Sequence, residues 1–166
     1  MLILRGVAGY YDNQNWPRGA LYEEYALEFA SRRNYDGEVL DVAGATGADS
    51  PQTKMTVERY RRDLTVSALY GFSGGGYNIL HVINQLTQKE KYRLDLVVVL
   101  GAPKNPAGAY KASIHKGRWE VIYRHDPPGG HMDGPRALLA SLPPPPPPYE
   151  EPGRRDYASG MPTGKF

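Results

Sequence analysis

YGFSGGGYN, residues 70–78, sets one serine, Ser73, among four glycines at the end of the apolar run LTVSALYG (64–71). Glycine weakens helices and strands by roughly 0.5–1 kcal/mol relative to alanine, so this many within residues 71–76 must serve a local geometry. Two geometries require them: a sharp strand-to-helix turn that exposes a side chain, or a loop whose amides wrap a phosphate. The phosphate loop G-x-x-x-x-G-K-[ST] is not matched, because Tyr77 and Asn78 stand where lysine and a hydroxyl are needed. The dinucleotide pattern G-x-G-x-x-G also fails, since Phe72 and Ser73 separate Gly71 from the next glycine. Downstream, Ile79, Val82, Ile83 and Leu86 recur at helical spacing, so the residues predict a strand, a tight turn and a helix starting near Gly75.

The same alternation runs through the chain. LDLVVVL (94–100) is its clearest strand, joined by LILRGVA (2–8), EVLDVA (38–43) and WEVIYR (119–124). Pro17 opens a helix whose Leu21, Tyr22, Tyr25, Ala26, Phe29 and Ala30 form one apolar stripe. Ser50-Pro51 supplies an N-cap and a first-position proline for a polar helix ending near Arg62, with Glu58 and Arg62 spaced for an i,i+4 ion pair. NPAGAYKASIHKG (105–117) is ambiguous, and RALLASL (136–142) closes the fold as a last helix. The expectation is an α/β domain with a five-stranded, mostly parallel sheet in the order 2-1-3-4-5 and helices on both faces. In that order the first and third strands meet at the switch point where open α/β sheets bind ligands. The loops after Ala8 and around Ser73 would share that crevice.

Composition bounds the partners. Of 166 residues, 20 are basic and 18 acidic, a net charge of +2 with no basic stripe, which argues against nucleic acid. No apolar run is long enough for a membrane span, and MLILRGVAGYYDN is too short and interrupted for a signal peptide, so a cytoplasmic protein is expected. Cysteine is absent and the four histidines show no HxH or HExxH spacing, so no metal or other cofactor is expected. Residues 1–142 read as the domain. Residues 143–166 open with six prolines, favour an extended polyproline rod, and lack apolar residues for a core. This tail is either solvated or a contact element for another protein.

Gly71-Phe72-Ser73-Gly74-Gly75 matches G-x-S-x-G between a strand and a helix and resembles the nucleophile elbow of the α/β-hydrolase superfamily. The resemblance extends through most of residues 1–142 and implies a minimal hydrolase core without a cap domain, esterase- or lipase-like and of cutinase size or smaller. It implies Ser73 as nucleophile, with an acid and a histidine following in that order. Asp126, at the end of the fifth strand, and His131 satisfy the order. The sequence departs from the pattern in two ways. Only four residues separate acid from histidine, where a helix and often a strand usually intervene, and the amino-terminal antiparallel hairpin is missing. Asp133 is the alternative acid, and a serine–histidine dyad is a third arrangement.

One oxyanion-hole donor would be the Gly74 N–H, the other Val7 or Ala8 from the loop after the first strand. His81 is expected at the surface or in a structural role, His115 in a polar connector, and His125 on the opposite side of the strand from Asp126. Tyr10, Tyr11 and Trp16 are candidates to line a pocket. The implied activity is cleavage of a small carboxylic ester or thioester through an acyl-enzyme on Ser73. Two readings compete with it. One makes Ser73 a plain turn residue, and the other is a non-catalytic hydrolase-like interaction or structural protein.

Overall fold

The computed structural model describes residues 1–6, 19–40, 42, 45–102, 117–128, 130 and 133–144, and the backbone alone of 19–22, 155–156 and 161–162. Its elements alternate: β1 (Leu2–Leu4), α1 (Gly19–Arg32), β2 (Glu38–Leu40), α2 (Pro51–Arg62), β3 (Ala68–Phe72), α3 (Gly74–Gln85), α4 (Gln88–Lys91), β4 (Leu96–Leu100), β5 (Glu120–Arg124) and α5 (Gly134–Ala140). Strands β1–β5 form one parallel sheet in the order β2-β1-β3-β4-β5, as the alternation predicts. Val39, Ile3, Tyr70, Val98 and Ile122 lie in one row across it. Within residues 143–166, Arg155–Asp156 (β6) pairs antiparallel with Met161–Pro162 (β7), which the composition does not announce. No helix among the described residues is long and apolar enough to cross a membrane.

Side chains alternate across a pleated sheet, so each strand feeds two cores. Leu2, Leu4, Leu69, Val97 and Val99 pack with Val57 and Tyr60 of α2 and Ile79, Val82 and Ile83 of α3. Ile3, Ala68, Tyr70, Phe72, Val98 and Leu100 pack on the other face with Tyr25, Ala26 and Phe29 of α1 and Leu138 and Leu139 of α5. Each fully buried large apolar side chain contributes about 1.5–3 kcal/mol of transfer free energy. The helical stripes read from spacing are these buried faces; the side chains of Leu21 and Tyr22 lie outside the described residues.

Several expected boundaries move. β1 ends at Leu4, and just past it the Gln52 side-chain amide donates to the carbonyl of Arg5 and also to that of Val42; β2 is described to Leu40, and Asp41 lies outside the described residues. β3 begins at Ala68 and not Leu64, since Asp63 folds back to accept the Thr65 N–H and hydroxyl and Leu64 is exposed. α4 was not expected, although its Thr87–Glu90 capping box is written in the sequence. On α2, Ser50 accepts the Thr53 N–H as the N-cap, as expected, but the i,i+4 ion pair is Arg59–Asp63 at 2.9 Å, not Glu58–Arg62. Residues 105–116 lie outside the described residues.

Candidate active site

β3 delivers Ser73 to the carboxyl edge of the sheet. Residues 68–72 and 74–76 are all buried, and only Ser73 between them reaches partial exposure. Its backbone sits at φ 55°, ψ −124°. A non-glycine residue held there costs roughly 1–3 kcal/mol, and such strain clusters at functional turns. Asn34, the other described non-glycine residue with positive φ, follows α1, where asparagine adopts that conformation readily.

A serine before a helix usually caps it, and Ser50 does so by accepting the Thr53 N–H. Ser73 heads α3 yet its hydroxyl makes no capping bond. Its main chain is pinned instead: the N–H donates to Leu100 O at 2.8 Å and the carbonyl accepts the Tyr77 N–H at 3.1 Å. The hydroxyl is therefore held at a fixed place without being consumed by local structure.

The flanking glycines are required by close approach. A Cβ on Gly71 would lie 2.6 Å from Gly75 O, and one on Gly75 would lie 2.6 Å from Arg5 O and still closer to Leu4 O. Gly76 packs nearly as tightly, 3.2 Å from the Val99 side chain. The turn is so sharp that helix, strand and the end of β1 touch backbone to backbone.

Gly74 is the first residue of α3, and its N–H is one that a helix leaves without an intrahelical partner. Val7 and Ala8 lie outside the described residues, as do Tyr10, Tyr11, Trp16 and His115. The segment leading to Val7 and Ala8 does reach the site: a Cβ on Gly6 would lie 3.1 Å from the Ser73 Cβ.

Asp126 follows β5 and is exposed. His131 lies outside the described residues, and the chain on either side of it is placed. The Gly130 N–H donates to Pro127 O (2.9 Å), the Asp133 N–H donates to Gly130 O (3.1 Å), and Gly130 has φ 114°. Gly134 then packs against the ring of Phe72 and against Leu100, beside Ser73. Gly134 thus stands at the edge that holds Ser73. Asp133 stands at the N-cap of α5 without a side-chain capping bond.

His81 is buried in α3, not at the surface, with its ring edge-on to Tyr77 at 4.8 Å. Burial lowers its pKa below the ordinary imidazole value. His125 is exposed and packs edge-on to Tyr123 at 5.4 Å.

A cleft of about 530 Å³ opens at the opposite, amino-terminal edge of the sheet, lined by Arg33, Tyr35, Asp36, Arg59 and Asp95 among others. It is remote from Ser73, and its arginines are already paired, Arg33 with Glu120 and Arg59 with Glu38 and Asp63. Sequence reasoning missed Gln52 and Asn78, two buried carboxamides beside the serine turn. Gln52 sits in a mostly polar helix where no periodic signal separates it from surface neighbours, and Asn78 is an isolated polar residue in the largely apolar α3.

Comparison with known proteins returned no match to a family model, to a curated protein or to a solved structure.

Proposed function

We propose that the chain is a serine hydrolase built on a minimal α/β-hydrolase core, cleaving a carboxylic ester or thioester through an acyl-enzyme on Ser73. The observation that carries this reading is the backbone of Ser73. A strained, partly exposed serine heads a helix that it does not cap, at the carboxyl edge of a parallel sheet. Neither the cost of that conformation nor the idle hydroxyl is explained by a turn alone.

In this reading His131 is the general base. A serine hydroxyl is a weak nucleophile until a base takes its proton, and imidazole titrates nearest neutrality. Ser73 Oγ bonds to the carbonyl carbon while its proton passes to His131, and the carbonyl oxygen becomes an oxyanion. The Gly74 N–H and an amide from Val7 or Ala8 hold that oxyanion. Collapse breaks the bond to the leaving alcohol or thiol, which receives the proton from the imidazolium. Water, deprotonated by His131, then attacks the acyl-serine, and Ser73 Oγ departs with the returned proton. Asp126 orients the imidazole and stabilises its cation, with Asp133 as the alternative.

A series of p-nitrophenyl esters of increasing chain length tests the reading. Turnover lost in Ser73→Ala and His131→Ala, and reduced to a remnant in Asp126→Asn, supports it. A folded wild-type chain inert toward the whole series favours a non-catalytic interaction protein.

A further inference from the structure

Leu64 and Tyr92 are the two most exposed large apolar side chains among the described residues, at 75% and 67%. Both belong to connections at the amino-terminal edge of the sheet, Leu64 between α2 and β3 and Tyr92 between α4 and β4. The fold sets these connections side by side. Arg93 donates to the carbonyls of Tyr60 (2.7 Å) and Asp63 (3.4 Å), and Arg61 pairs with Glu90 at 2.7 Å. Arg118, just before β5, holds its guanidinium 5.3 Å from the centre of the Tyr92 ring.

Cations crowd the same edge. Arg62, Lys89 and Arg118 are exposed and Lys91 is half-buried, and none has a carboxylate partner among the described residues. The acids between them are neutralised, Asp63 by Arg59 and Glu90 by Arg61, while Asp95 lines the cleft with Arg33. A chain whose net charge is only +2 thus gathers uncompensated positive charge around two bare apolar side chains. Three separate stretches supply it, so no basic run in the sequence announces it.

We propose that this edge is a docking surface for an anionic lipid bilayer. Charge complementarity sets the sign of the partner, and the apolar tips set its kind. A nucleic-acid strand would leave Leu64 in water, since an aliphatic tip neither stacks on a base nor bonds a phosphate. Protein interfaces deplete charge from their centres, and here the cations stand beside the apolar tips, Arg118 on the Tyr92 ring itself. A bilayer takes both kinds of side chain. Leucine enters the acyl boundary, the tyrosine ring sits at the headgroup level, and lysine and arginine reach the lipid phosphates. Each basic residue near an anionic leaflet contributes about a fivefold gain in partition. Ser73 lies at the opposite edge of the sheet, so a docked chain turns it away from the bilayer.

The test is sedimentation of the full chain with vesicles of phosphatidylcholine, alone or mixed with phosphatidylserine, with melting temperatures measured alongside. The wild type should bind the mixed vesicles at least about tenfold more tightly than phosphatidylcholine alone, and should release as salt rises. Leu64→Ser with Tyr92→Ser should weaken binding about tenfold or more through lost apolar burial. Lys89→Glu with Arg118→Glu should weaken it about 30-fold, the square of the loss per charge. Lys54→Glu with Met55→Ser, matched changes toward the other end of α2, should bind as the wild type does. All of these side chains are exposed, so melting temperatures should hold; a double variant that fails to fold is replaced by its single substitutions. A folded wild type that ignores the mixed vesicles overturns the proposal, and so do equal losses in the edge variants and the α2 control. Binding of poly-glutamate or of a single-stranded oligonucleotide through the same residues, without binding of vesicles, assigns the surface to another class of partner and overturns it too.

Discussion

A Cβ on Gly75 would stand 2.6 Å from the carbonyl oxygen of Arg5, so the helix after Ser73 meets β1 with nothing but backbone between them. The contact is possible only for glycine. Gly75→Ala should destabilise the domain by about 3–5 kcal/mol or prevent folding, because both partners are main chain and neither can yield. Gly71→Ala meets Gly75 O at 2.6 Å and should be nearly as damaging, whereas Gly76→Ala faces the Gly71 carbonyl oxygen and a Val99 methyl, both at the longer distance of 3.2 Å, and should cost about 1–3 kcal/mol. Denaturant unfolding of the three variants gives the order directly; an equal, small cost for all three would contradict the close packing.

Strain at Ser73 predicts an opposition between stability and activity. Both Ser73→Gly and Ser73→Ala should lose hydrolysis. Glycine also relieves the positive φ, worth roughly 1–3 kcal/mol, and gives back less than about 1 kcal/mol through the greater freedom of the unfolded chain. Ser73→Gly should therefore be more stable than Ser73→Ala by about 1 kcal/mol. The reverse order by equilibrium unfolding would mean that the turn is relaxed.

Much of the fold is legible in the sequence. LDLVVVL and LTVSALYG are apolar enough to be central strands, and G-F-S-G-G locates the turn, because close backbone approach leaves its mark as glycine. The end of β1 is not legible. The Gln52 side chain of a third element donates to the carbonyl of Arg5 just past it, a long-range hydrogen bond that no local pattern encodes. Of the two places expected for His81, surface or structural, α3 gives the structural one, buried beside Tyr77. α4 is legible in principle, since T-Q-K-E at 87–90 spells the capping box that the structure forms.

Burial of His81 gives a pH dependence with a definite sign. Its folded pKa is lowered from the ordinary 6.5, so the unfolded chain binds the proton more readily. The folded state is then at full stability above that value and loses stability as pH falls through it. Melting temperature should decline between about pH 7.5 and pH 5, and His81→Phe should flatten the decline. An identical slope with and without His81 would assign the dependence to other groups.

Truncation after Leu142 tests the expected boundary of the domain. Leu142 packs against the core of α1 and α5 and is retained in the shortened chain. Loss of residues 143–166 should move the melting temperature by no more than about 3 °C, less than a 1 kcal/mol change shifts a domain of this size. A larger fall would make the proline-rich segment part of the folded unit.

The central claim, that Ser73 is an activated nucleophile, is tested most directly by intact-mass analysis after reaction with a fluorophosphonate. The account predicts a single adduct on the folded wild-type chain, located at Ser73 by peptide mapping. It should be absent from Ser73→Ala, slowed by orders of magnitude in His131→Ala, and nearly unchanged in His81→Ala and His125→Ala. A folded wild-type protein that gains no mass at Ser73 would contradict it.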